Sequence, residues 1–105
     1  MHAVLIKFTS AAPLDQLAAP FGDYAEALRS VPGLVMKTWL ADGSTLGGFH
    51  IFIDAASAHA YLNGPLCRSL TVNPVFSSFQ IDHFGTIDDL SAITGSPSRD
   101  AVLAP

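Results

Sequence analysis

The spacing of hydrophobic residues divides the chain into strand-like and helix-like segments. The apolar, β-branched run His2–Ser10 predicts a first strand. Over residues 14–28 apolar residues recur every three or four positions, which predicts an amphipathic helix. Pro20 lies inside that pattern and predicts a kink or a break, with the main helix beginning near it. Second and third strands are predicted at Leu34–Leu40 and Phe49–Ile53, on either side of the turn ADGS.

The second half of the chain continues the alternation. Asp54 is suited to cap a second helix from Ala55 to about Asn63. The stretch NGPLCRSLTVNP then predicts a loop with one more helical turn. Val75–Phe84 is predicted as the fourth strand, with a short helical turn in IDDLSAI. Residues 1–95 are expected to form one domain, and residues 96–105, which have little to bury, a tail that is mobile or contacts a partner.

The predicted order β-α-β-β-α-β is typical of the ferredoxin-like α+β fold, an antiparallel sheet with two helices on one face. The third strand is apolar on both faces, because Phe49, Ile51 and Ile53 alternate with His50 and Phe52. The face without helices therefore needs another cover. Pairing two such sheets in a homodimer supplies it.

Composition narrows the possible partners. Half of the 105 residues are hydrophobic and 13% are charged, which predicts a subunit interface or a ligand cavity for a small apolar or aromatic molecule. The net charge of −4 and the five scattered Lys and Arg residues argue against nucleic acid. No apolar run approaches the ~20 residues of a membrane span, and the first residues lack signal-peptide features, so a cytoplasmic protein is expected. One cysteine excludes an intrachain disulfide.

Histidines supply the first candidate chemistry. Alternation along a strand places His50 on the same face as Phe52 and Asp54, and Asp54 must turn toward the helices to cap the second one. If His2 faces the same way, two imidazoles line one apolar cavity as a proton relay or as substrate anchors. A histidine hydrogen-bonded within the core is the alternative for His50.

Aromatic residues, among them Phe52 on the third strand, and the cysteine complete the candidate pocket as expected substrate contacts. Phe21 and Tyr24 lie on the apolar stripe of the first helix, and Tyr61 lies on the second helix. A tyrosine hydroxyl in a cavity can hold a substrate carbonyl or phenol, whereas in a filled core it bonds to water. Trp39 is suited to wall an aromatic pocket or to pack at the dimer interface. Cys67 is either a small buried hydrophobe or a reactive thiol.

Metal and phosphate sites are not predicted. A site formed by His2, His50 and His83 lacks closely spaced ligands, and His59 is expected on the solvated face of its helix. The glycines of DGSTLGG lead into a strand rather than a helix, so they are not a phosphate-binding fingerprint. Lys37 lies in the middle of a strand, where its charge must reach an edge or meet a carboxylate.

The segments PGLVMKTW, GGFHIFID and SAHAYL resemble the YdhR-like mono-oxygenases of the dimeric α+β barrel superfamily. The resemblance extends from the first strand to about Ile93. It implies a homodimer and a cofactor-independent mono-oxygenase that acts on a small aromatic or polyketide-like substrate. In that chemistry His50 is the acid–base group, Tyr24 and Tyr61 are hydrogen-bond anchors, and Trp39 is a wall.

The pocket is also similar to that of olivetolic acid cyclase, a polyketide cyclase of the superfamily. His2, Tyr24, Trp39, His50 and Tyr61 match pocket residues of the cyclase. Where the cyclase carries a general-base histidine after its second helix, this chain has Cys67. The alternatives to a mono-oxygenase are therefore a non-oxidative cyclase or isomerase with the same pocket, and a non-catalytic ligand-binding or stress-related module.

Overall fold

A computed structural model describes residues 1–97 and Val102. A 3-10 turn at Leu14–Leu17 precedes the first helix. The helices and strands are β1 (His2–Ser10), α1 (Ala18–Leu28), β2 (Leu34–Asp42), β3 (Thr45–Phe52), α2 (Ala55–Leu62), α3 (Pro65–Thr71), β4 (Phe76–Gly85) and α4 (Asp88–Ile93). The strands form one antiparallel sheet in the order β2-β3-β1-β4. The predicted ferredoxin-like α+β fold is confirmed.

Most element boundaries follow the prediction, and two do not. β3 begins at Thr45, four residues before the predicted start, because Gly47 and Gly48 pair with β1 instead of forming a lead-in turn. The segment after α2, predicted as a loop with one helical turn, contains the longer, seven-residue helix α3, which begins with Pro65 directly after Gly64. Proline is favoured at the first helical position, where its missing N–H has no intrahelical partner to lose. Helix α3 turns Cys67 into the core.

Pro20 does not interrupt α1. It is the third residue of that helix, and the break in the pattern falls earlier, between the 3-10 turn and α1. The first backbone N–H groups of a helix have no intrahelical acceptor, so proline in the first turn removes no hydrogen bond.

The inner face of the sheet, which meets the helices, carries the core. Val4 of β1 pairs with His50 of β3, and His50 pairs with Lys37 of β2, so these three residues lie in one row on this face. Val4 and Phe52 are fully buried, and His50 is 1% exposed. The expectation that His50 faces the helices is therefore confirmed.

The outer face of the sheet carries exposed apolar side chains, as predicted, together with exposed Lys7 and Asp82. Leu40, Phe84 and, on α4, Leu90 and Ile93 are exposed by 41% to 81%. One end of this face meets the segment around α4, where Thr86 donates to the carbonyl of Met1. In the described part of the chain no helix is long and apolar enough to cross a membrane. Most of the predicted tail lies outside the described residues, so its expected mobility or partner contact stays a prediction.

The start of α2 fixes the end of β3. The carboxylate of Asp54 accepts a hydrogen bond from the backbone N–H of Ser57 at 2.8 Å, as an N-cap does. Replacing Asp54 with Ala should lower the free energy of unfolding by about 1 kcal/mol. Asp54→Asn retains a capping oxygen and should lower the free energy of unfolding by no more than a few tenths of a kcal/mol. Urea unfolding curves measure both variants, and equal losses would contradict a capping role.

Candidate active site

Five polar side chains from five elements converge between the sheet and the helices. They are called the polar cluster below: Tyr24 of α1, Lys37 of β2, His50 of β3, Tyr61 of α2 and Cys67 of α3. The hydroxyls of Tyr24 and Tyr61 are 2.5 Å apart, and the Tyr61 hydroxyl also interacts with the Cys67 thiol. The rings of His50 and Tyr61 have their centroids 5.8 Å apart. Sequence reasoning predicted four of these residues as a site, and the structure brings those four together.

His50 has one satisfied and one unsatisfied ring nitrogen. Its Nδ1 lies 3.1 Å from the carbonyl oxygen of Val4. A neutral imidazole donates from that nitrogen to the carbonyl, which leaves a lone pair on Nε2. Nε2 is buried and has no partner at hydrogen-bond geometry among the described residues, although the Gly48 backbone carbonyl is near enough to the ring to raise its pKa slightly. Burial, and to a smaller extent the charge of Lys37, lower the pKa of His50 to about 4. The imidazole in this site is therefore neutral. Its acceptor nitrogen, Nε2, forms no hydrogen bond with the hydroxyl of Tyr24 or Tyr61.

The two tyrosines and the cysteine are kept in their neutral forms. Burial raises the pKa of Tyr24 to about 12, and it raises the pKa of Tyr61 further. Burial also raises the pKa of the Cys67 thiol, whose residue is 3% exposed. At neutral pH these groups therefore donate hydrogen bonds but carry no charge. A neutral Cys67 thiol cannot replace the general-base histidine that the cyclase has at the corresponding position.

Lys37 is the member of the cluster that sequence reasoning did not place in the site. Its Nζ lies 3.5 Å from the ring centroid of Trp39 and 5.1 Å from that of Tyr24. Burial lowers its pKa to about 8. The expected edge is confirmed, because β2 is an edge strand and Lys37 is only partly buried, but aromatic faces rather than a carboxylate contact the ammonium. Strand alternation offered a signal, since Lys37 shares a face with Trp39 two residues later.

A narrow cavity of about 10 Å³ lies against His50, Lys37 and Tyr61, with Phe21 and Trp39 among the other lining residues. That volume holds about one water molecule. Two larger spaces adjoin the cluster. A groove of about 390 Å³ between α1 and β2 shares Lys37 and Trp39 with the cavity. An apolar pocket of about 420 Å³ beside α2 and α3 shares Tyr61.

Gly48 makes room for the two basic side chains. A Cβ atom at this position would lie 2.5 Å from Cε of Lys37 and 3.0 Å from Cε1 of His50. Real Cβ contacts are essentially never as short as the first distance, so any larger residue would displace Lys37. The glycine is thus part of the architecture of the polar cluster.

Four of the predicted site residues do not line the cavity: His2, Tyr24, Phe52 and Cys67. Phe52 packs beneath the cluster, with its ring centroid 5.7 Å from that of Tyr61. The expectation that His2 and His50 line one cavity is not met, because His2 lies at the end of β1. There its Nε2 is 2.9 Å from Nδ1 of His83, and its ring centroid is 6.2 Å from that of His59. Among the described residues, no group of three potential ligands is arranged to hold a metal ion.

Phe21 and Trp39 form the outer wall of the cavity, as predicted. Their ring centroids are 5.1 Å apart, and Trp39 is 38% exposed. Phe21 is also half-buried, so both rings of this wall expose part of their surface to solvent. An aromatic ligand approaching from this side would contact both of them.

Comparison with known proteins agrees with this architecture. Residues 4–97 match the family described as "Putative mono-oxygenase ydhR". A protein of unknown function from Nitrosomonas europaea is similar in structure, with 26% identity and a TM-score of 0.63, covering 82% of this chain and 88% of that one. No curated protein matches the sequence.

Two more distant structures share the fold. SnoaB, a cofactor-independent oxygenase from Streptomyces nogalater, has 17% identity and a TM-score of 0.66 over 82% of this chain and 92% of its own. The haem-degrader MhuD from Mycobacterium tuberculosis has 16% identity and a TM-score of 0.62 over 83% and 96%. Since the family match covers nearly all of the described residues, this chain belongs to the ydhR mono-oxygenase family.

Proposed function

We propose that this protein is a cofactor-independent mono-oxygenase that acts on a small phenolic aromatic or polyketide-like molecule. The observation that carries the proposal is the buried, unpartnered Nε2 of His50, whose ring packs against that of Tyr61. A buried acceptor without a partner costs free energy, which a ligand that donates a proton or a hydrogen bond recovers. Family membership supports oxygen chemistry at this site.

The proposed reaction needs no external reductant. His50 accepts the proton of a phenol, and the resulting electron-rich phenolate transfers electrons to O₂. A ring CH₂ becomes C=O with one oxygen atom, and the other oxygen leaves as water with the two hydrogens of that CH₂. The substrate supplies all the electrons. The protein supplies deprotonation, orientation through Tyr24 and Tyr61, and an environment without bulk water.

Substrate must displace side chains to reach His50. The cavity of about 10 Å³ is too small for an aromatic ring. Lys37 and Trp39 separate it from the groove of about 390 Å³, and Tyr61 separates it from the apolar pocket of about 420 Å³. Outward movement of Trp39, which is already 38% exposed, would join the cavity to the groove.

Two other functions compete with oxygenation. A cyclase or isomerase would use the same tyrosines and His50, but the neutral thiol of Cys67 replaces the base expected in such cyclases. A non-catalytic binding protein is favoured by the small size of the closed cavity, in which one water could satisfy Nε2. Oxygen consumption distinguishes the mono-oxygenase from both alternatives.

The first prediction from the proposed function concerns turnover. With 1,8-dihydroxyanthrone and no added cofactor, the wild-type protein should consume oxygen, as followed with an oxygen electrode. His50→Phe should keep the fold and reduce the rate by about 100-fold or more, because general-base catalysis contributes on that scale. His59→Gln removes an exposed imidazole and serves as the control. A wild-type protein that consumes no oxygen above the rate of the protein-free solution would contradict the mono-oxygenase.

The second prediction concerns the pH dependence of stability. The folded-state pKa of His50, about 4, lies below its ordinary value of 6.5. Between these values the unfolded chain binds more protons, so the stability due to a neutral His50 is present above pH 6.5 and is lost as pH falls toward 4. Wild type should therefore lose about 2 kcal/mol more than His50→Phe between pH 7 and pH 5. Urea unfolding at the two pH values measures this, and parallel losses would contradict a buried neutral imidazole.

We also propose that the apolar outer face of the sheet pairs with the same face of a second copy. Exposed Leu40 and Phe84 lie on that face, in register with its other apolar residues. A stable dimer through this face should bury at least ~1,200 Å² of total surface.

Sedimentation velocity at micromolar concentration tests the dimer. Wild type should sediment as a dimer, and Phe84→Lys should sediment as a monomer because a charge would be buried in the interface. Val72→Lys changes an equally apolar, exposed residue directly after α3 and should remain a dimer. A monomeric wild-type protein would refute the proposal.

A further inference from the structure

We propose that Lys37 is the anion-binding group of the site and pairs with the ionised oxygen of a planar phenol or enol. The proposal deepens the proposed function, on which its choice of substrate class rests. It concerns binding, however, and can be tested without turnover.

The position of Lys37 is the first argument. Its side chain lines both the cavity at His50 and the groove of about 390 Å³ between α1 and β2. A ring that enters from the groove must therefore pass the ammonium before it reaches Nε2 of His50. The same ring would lie against Trp39, which lines both spaces as well.

The missing counter-ion is the second argument. In the part of the chain that the structure describes, the ion pairs join Met1 to Asp88 and Arg29 to Glu26, and no carboxylate lies within 4.0 Å of Lys37. The faces of Trp39 and Tyr24 attract the ammonium, but a partly buried cation is stabilised much more by an anion. Burial accordingly lowers the pKa of Lys37 to about 8.

The chemistry of the neighbours is the third argument. The ionisable groups around Lys37 are His50, Cys67 and the hydroxyls of Tyr24 and Tyr61, and each of them is neutral at pH 7. An oxyanion bound at Lys37 would thus meet a positive charge and no negative charge from these four groups, an arrangement that stabilises a phenolate. It would also offset the effect of Lys37 on His50, whose pKa the ammonium lowers. Bound phenolate would therefore raise the basicity of the imidazole that must hold its proton.

The experiment compares two probes that differ by one oxyanion, 4-nitrophenolate and nitrobenzene. Binding of each is measured by isothermal titration calorimetry at a pH where 4-nitrophenol is ionised but Lys37 remains largely protonated. The wild-type protein should prefer 4-nitrophenolate by about tenfold or more, as expected for a hydrogen bond to a charged group. Lys37→Met should abolish the preference and leave the affinity for nitrobenzene within about twofold, and Lys37→Arg should retain part of the preference.

The chain provides a matched control for the charge. Arg29 lines the same groove, but it is exposed and paired with Glu26 at 3.3 Å. Arg29→Met should therefore keep the preference for 4-nitrophenolate. If Arg29→Met abolishes the preference, or if Lys37→Met retains it, the proposal is wrong. A wild-type protein that shows no preference also overturns it.

Two glycine variants test the geometry independently. Gly48→Ala forces the stem of Lys37 to move and should reduce the preference for the phenolate. Gly22→Ala, in α1, meets no atom within 4 Å and should change nothing. An unchanged preference in Gly48→Ala would contradict the proposed position of the ammonium.

The outcome separates this inference from the proposed oxygenation. A phenolate preference that depends on Lys37, combined with no oxygen uptake from 1,8-dihydroxyanthrone, would refute the mono-oxygenase and leave the anion site intact. Oxygen uptake that survives in Lys37→Met, without any phenolate preference in the wild type, would refute the anion site alone.

Discussion

The pairing of β1, β3 and β2 is the constraint on which the site depends. It places Val4, His50 and Lys37 side by side on the inner face, so a fixed backbone register brings a base and a cation together. A slip of one residue would turn both side chains to the outer face. The same register brings the Val4 carbonyl to Nδ1 of His50, which fixes the tautomer and leaves the acceptor nitrogen free. Helices α1, α2 and α3 then add the two hydroxyls and the thiol.

The polar cluster lies in a region that apolar packing alone would fill more favourably. A neutral imidazole with an unpartnered nitrogen and an ammonium without a carboxylate both reduce stability. Gly48 adds a further cost, because glycine in a strand has more backbone freedom to lose on folding. Proteins retain such unfavourable features mainly where they serve function. The cluster is therefore better explained by ligand chemistry than by the packing of the core.

Periodicity was sufficient to predict the fold, and together with the family resemblance it predicted which side chains meet in most of the polar cluster. Alternation along β3 placed His50 toward the helices, and helical spacing placed Tyr24 on a buried stripe. The prediction failed where tertiary contacts decide. Helix α3 has too few residues for a clear period and depends on packing, while Gly47 and Gly48 resemble a turn until they pair with β1. His2 has the predicted parity but lies at the wrong end of its strand, because alternation defines a face and not a position along it.

The protonation states around the cavity give the chemistry a direction. Tyr24, Tyr61 and Cys67 keep their protons at neutral pH because burial disfavours their anions, so none of them can act as the base. Lys37 is largely protonated below pH 8. His50 is neutral at pH 7 and its Nε2 has a basic lone pair, yet its pKa of about 4 makes it a weak base while the site is empty. An anionic ligand beside Lys37 would offset the charge that lowers the pKa of His50, and would make the imidazole a stronger base. The proton acceptor and the cation would then operate as a pair, with the base strengthened by the anion that its own proton transfer creates.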